Sequence, residues 1–166
     1  MDSKLFLAPA TNREALQCLD RAVLEGFETN TGLNFPEEVD TPVRVWGLIE
    51  TILPTWKTIG EGDWILFYVD EDRYGYLARI VGKCMDSELG ESIRKKALGD
   101  DFNGARDWDC LVFLDKPVEV EVSGRKVAST FGYGNNYPVR FMRVTEERWE
   151  SSEFDSVEEF IDSIRV

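Results

Sequence analysis

The chain has 166 residues, 43% of them apolar, which suits one domain with a full core. Its 32 acids against 19 Lys and Arg leave a net charge of −13, spread from Asp2 to Asp162 without a tail. That reads as a dispersed acidic surface that keeps the domain wet, as a high-salt cytoplasm favours, against the other reading of an acidity that repels nucleic acid.

In chain order, residues 4–8 predict a first strand, ended by Pro9. Thr11 with Glu14 is a capping-box pattern, and Leu16, Leu19, Val23 and Phe27 recur at helical spacing up to a stop at Gly26. Residues 28–41 are polar and turn-rich, a loop. Residues 43–50 predict a strand carrying Trp46, and 51–62 an irregular crossing or short helical turn. Residues 63–69 read as a buried strand; Asp70-Glu71-Asp72-Arg73 turns it into a partner at 74–82. Residues 87–98 predict a second helix stopped by Gly99, with Arg94, Lys95 and Lys96 near its end. After a loop at 100–107, residues 108–114 and 118–122 predict two strands broken at Asp115-Lys116-Pro117. Residues 132–136 form a flexible aromatic loop and 139–144 a last strand. Ser156 with Glu159 caps a final helix over 156–164. The expected fold is α+β: a curved, mostly antiparallel, barrel-like sheet with flanking helices, in one domain over 1–166.

Trp46 stands out among the five tryptophans. It sits beside Gly47 on a strand with charged neighbours, and a glycine beside an aromatic lets a flat ligand approach the backbone. Trp64, by contrast, starts a strand that is apolar on both faces and reads as core. Catalysis finds no support. There is no histidine, the commonest general base and metal ligand, and no G-x-S-x-G, P-loop or C-x-x-C. Cys18, Cys84 and Cys110 are odd in number and widely spaced, which points to a reducing cytoplasm without a disulfide framework or zinc signature. No metal and no cofactor are expected. No signal peptide is read at the N-terminus, and no apolar run nears the roughly 20 residues that span a bilayer, so no membrane partner is expected.

The string Val45-Trp46-Gly47-Leu48, then Trp56-x-x-Ile59-x-x-Gly62-Asp63-Trp64-Ile65-Leu66-Phe67-Tyr68, resembles the heart of an EVE/YTH-like domain of the PUA-like superfamily. Residues 76–82 resemble that family's next strand, and 108–114 a later one, with the exit motif matched by Asp115, Pro117 and Val118. Leu5-Phe6-Leu7-Ala8-Pro9 and the stretch from Phe131-Gly132-Tyr133 to Arg143 are similar to the N-terminal modified-DNA-binding domains of McrB-type restriction systems. The resemblance covers about residues 4–145. It implies a nucleic-acid reader that flips a modified base into an aromatic cage, in a restriction or related defence setting, with DNA ahead of RNA as the polymer. It implies that Trp46 is a cage wall and that Gly47 and Leu48 offer backbone groups to the base edge. Trp56, Tyr68, Tyr76 and Trp108 are the further wall candidates; Tyr68 and Tyr76, on adjacent strands, are expected to face one side. Phosphate contacts are sought among Lys57, Arg79, Lys83, Arg94, Lys95, Lys96 and Arg106. The implied partner beyond nucleic acid is an effector nuclease or GTPase on another chain or a fused segment. The alternatives are an RNA-modification reader, an ASCH-like hydrolase of small nucleosides, and a protein-interaction module.

Overall fold

A computed structural model describes residues 3–28, 31–102 and 108–165. Strand β1 (Leu5–Pro9) leads into helix α1 (Arg13–Cys18). The helix N-cap is Asn12, not Thr11: the Asn12 carboxamide oxygen accepts from the Ala15 N–H. The helix runs on as a π-helical segment, Leu19–Glu25, and stops at Gly26. Arg44 donates to the Val23 and Leu24 carbonyls, satisfying part of that frayed end from the next strand.

Strand β2 (Arg44–Leu48), a short 3-10 turn (Glu50–Ile52) and helix α2 (Leu53–Trp56) follow. Strand β3 (Trp64–Asp70) turns through Glu71 and Asp72 into the long strand β4 (Arg73–Met85). Helix α3 (Ser87–Leu98) has the predicted bounds, capped by Asp86 and ended at Gly99. Strands β5 (Cys110–Leu114) and β6 (Val118–Ser123) both pair with β4, against Ile80–Met85 and Arg73–Leu77 respectively. The break at Asp115-Lys116-Pro117 is therefore an interruption within one antiparallel run along β4.

Two helices were not legible in the sequence: α4 (Gly124–Phe131) and α5 (Glu146–Glu150). Helix α5, at five residues, is too short to show a sustained helical period, and α4 opens on Gly124, a weak helix former, directly at the end of β6. Between them, the predicted last strand shrinks to β7 (Met142–Arg143). Helix α6 (Val157–Ile164) begins as predicted, with the Ser156 hydroxyl accepting from the Glu159 N–H.

The fold is α+β, built on a seven-stranded mixed sheet in the order β2-β5-β4-β3-β1-β7, with β6 also on β4. The β1–β3 pair is parallel and the others antiparallel. The outer strands β2 and β7 do not pair, so the sheet is open. Each face carries its own core. Phe6, Ala8, Ile65, Phe67, Ala78 and Ile80 face the side packed by α1, the π-helical segment, α3, β2 and β5. Leu5, Leu7, Leu66, Tyr68 and Leu77 face the side covered by α4, α5 and α6. Burial on both faces explains why β3 reads as an unbroken apolar run.

Candidate functional site

Trp46 is 5% exposed at the centre of β2. Its ring meets Phe67 edge-on at 5.2 Å and Trp108 at 5.6 Å, tilted by 49°. The Trp108 ring lies across Gly47: a Cβ there would fall 1.8 Å from Trp108 Cδ2. The flat group that Gly47 admits is thus the protein's own indole. Leu48 is buried and pairs with Cys110. Trp56 is buried at the end of α2, and its Nε1 donates to the Leu111 carbonyl at 3.2 Å. Lys83 covers that ring at 4.5 Å and donates to the Trp56 and Lys57 carbonyls. Burial pushes the Lys83 ammonium below its ordinary pKa, with Lys4 adding to the effect.

Tyr68 and Tyr76 do not share a face. Phe67 pairs with Tyr76 and shares its face, so Tyr68, the next residue along β3, takes the opposite core; the irregular pairing at Gly75 turns Tyr74 to join Tyr68 there. The predicted cations are also dispersed. Arg79 lies over Trp64, Arg94 is buried against Glu14 at 3.6 Å, Lys95 pairs with Glu91 at 3.0 Å, and Lys96 donates to the Thr31 carbonyl. Arg106 lies outside the described residues. The predicted residues therefore converge at two places, the Trp46–Gly47–Trp108 cluster and the Trp56–Lys83 stack, where all three indoles are buried against the protein's own groups.

An open pocket lies on the other face of the sheet. Its cavity is about 80 Å³, with Leu7, Tyr74, Val127 and Met142 below and the loop carrying Tyr133 and Tyr137 above. Tyr68 belongs here: its ring meets Tyr74 edge-on at 5.0 Å and Tyr137 at 6.5 Å. Four of the five tyrosines thus gather at one site. Tyr137 and the neighbouring Val139 are 53% and 59% exposed, large apolar groups open to solvent at the rim.

The loop is held at both ends. Gly132, at φ +74°, closes α4 in the left-handed conformation that glycine takes without strain. Arg148 donates to the Phe131 and Gly132 carbonyls at 2.8 and 3.0 Å, and its guanidinium lies 4.1 Å from the Tyr133 ring centre. At the far end, the Asn136 carbonyl packs so close to Gly124 that a Cβ there would fall 2.0 Å from it. Burial pushes the Tyr133 phenol above its ordinary pKa, with Arg148 drawing it back. Burial does the same to Tyr74, helped by Tyr133 and Tyr68. Both rings stay neutral at physiological pH.

The chain segment that supplies most of this pocket's lining is opposite in charge to the rest of the chain. Residues 122–145 contain no acid and four cations, Arg125, Lys126, Arg140 and Arg143, so the other 142 residues carry a net −17. That 24-residue gap in the acids was the sequence signal for the site. The Arg125 and Arg140 guanidinium groups make no ion pair or hydrogen bond to a described residue. Arg143 pairs with Phe6 on β1, so it points to the face opposite that of Met142.

Among the described residues, no three or more Asp, Glu and Cys side chains are grouped to hold a metal ion, and no helix is long and apolar enough to cross a membrane. No protein-family model matches the chain, and no curated protein matches it.

Proposed function

We propose that this domain is a nucleic-acid reader that takes a modified base, turned out of its stack, against the tyrosine cluster of Tyr68, Tyr74, Tyr133 and Tyr137. The observation that carries the reading is the coincidence of that open aromatic pocket with the chain's acid-free, cation-bearing stretch. Stacking on an aromatic ring holds a base at roughly 1–3 kcal/mol, and cations beside it supply the contacts to phosphate. In this reading the scaffold is of the PUA-like kind, with the seven-stranded sheet curved toward a barrel, and the chain binds without catalysis. It works in the cytoplasm on DNA, in a restriction or related defence setting, and the cutting activity belongs to an effector nuclease or GTPase on another chain or a fused segment.

The test is affinity for oligonucleotides that differ in one base modification, DNA and RNA alike, by fluorescence anisotropy. The wild-type chain discriminates between them, and Tyr137→Ala, at an exposed ring, removes roughly fivefold to a hundredfold of affinity while the fold is kept. Equal binding of modified and unmodified strands would end the modified-base reading. A second reading has one observation in its favour, the face contact between Trp108 and Gly47. There the base replaces the Trp108 ring beside Trp46. Loss of discrimination in a folded Trp46→Phe variant, with Tyr137→Ala unchanged, would select it.

A further inference from the structure

We infer that the polymer entering this site is a single strand rather than a duplex. This rests on the tyrosine cluster being the base site. The cations beside the pocket form a short strip in the chain, and acids flank it. Past Arg125 lies the Asp70-Glu71-Asp72 turn, where Asp72 Oδ1 accepts from the Arg125 N–H. Past Lys126 lie Glu121 and Glu153, with the Glu153 carboxylate 4.0 Å from the Lys126 ammonium. Past Arg148 lie Glu146 and Glu150 on α5.

One phosphate backbone fits such a strip. A duplex brings a second backbone alongside, with one charge per roughly 1.7 Å of axis in all, and that backbone would meet the acidic flanks. The remainder of the molecule, at −17, repels it further. The pocket itself is shallow, and Tyr137 and Val139 stand in solvent at its rim. A base in a single strand reaches them at no unpairing cost. A base in a duplex must first be extruded, which costs a few kcal/mol, and two unpaired arginines with one acid-paired lysine cannot offset that.

The experiment titrates the full chain against a labelled single strand of about ten nucleotides, the same sequence as a duplex, and the corresponding mononucleotide. The single strand binds at least about tenfold tighter than the duplex, and its log K falls with log salt at a slope of about −2, as three neutralised phosphates give. Arg125→Ala and Arg140→Ala each flatten that slope by about 0.7. Both side chains are exposed, so circular dichroism and melting of the variants match the wild type. A duplex that binds as tightly as the single strand overturns the inference and leaves the base-reading function standing. A mononucleotide that binds as tightly as the strand overturns it too, because the strip then contributes nothing. If none of the three binds, both the inference and the proposed function fall.

Discussion

Trp46 and Tyr137 show how the same aromatic chemistry takes two roles by position. Trp46 is enclosed by Phe67 and Trp108, and its removal leaves a cavity between two strands and a ring. Trp46→Ala is expected to cost about 3–5 kcal/mol of stability, seen as an earlier urea midpoint with an unchanged m value. Tyr137 is half exposed, so Tyr137→Ala stays within about 0.5 kcal/mol of wild type in the same titration. A Trp46→Ala chain as stable as wild type would show that the indole fills no core. The two glycines that matter here act through close approach: one takes the face of Trp108, the other the Asn136 carbonyl.

At the level of elements, α1 and α3 meet through a polar seam inside an apolar contact. Gln17 donates to the Ala97 carbonyl at 3.1 Å, and Arg94 approaches Glu14. Cys18 lies in this seam, where burial raises its thiol to about 11 from an ordinary 9, against the opposing pull of Arg94. The folded chain then holds a proton that the unfolded chain releases between pH 9 and 11. The stability this thiol contributes is complete below pH 9 and is lost as pH climbs through about 11, at up to about 1.4 kcal/mol per pH unit. Denaturation followed across that range is expected to show the loss, and Cys18→Ala to flatten it. An identical slope in the variant would assign the alkaline sensitivity elsewhere, Tyr74 first, since burial raises its phenol as well.

For the whole molecule, charge acts on folding and on binding with opposite signs. A net charge of −13 makes the folded state repel itself, so molar salt is expected to raise the melting temperature by screening. The same salt weakens binding at the cationic strip, because released counterions drive that contact. Melting and anisotropy measured over one salt series therefore diverge. A melting temperature that is flat or falls with salt would mean the acids are spaced too widely to repel.

The residue pattern alone fixed much of this protein. The α+β class, the β3–β4 hairpin, helix α3 with its bounds and the capped α6 follow from local rules: alternation, turn residues, N-caps and a glycine stop. Tyr68 entered as a wall candidate through the family resemblance, and its contacts with Tyr74 and Tyr137 were not legible. Its own face follows the alternation of β3, but Tyr74 joins it only through an irregular register near the hairpin, where a shift of one residue exchanges the two sides of a strand. The open pocket also had to wait for the tertiary structure. Its floor comes from β1 and β4, its wall from α4 and its roof from the loop after Gly132, segments far apart in the chain that meet only after folding. The same holds for the tryptophans. Spacing places Trp46 beside Gly47, but only the packing of β2 against β5 decides that the ring lying on that glycine is Trp108.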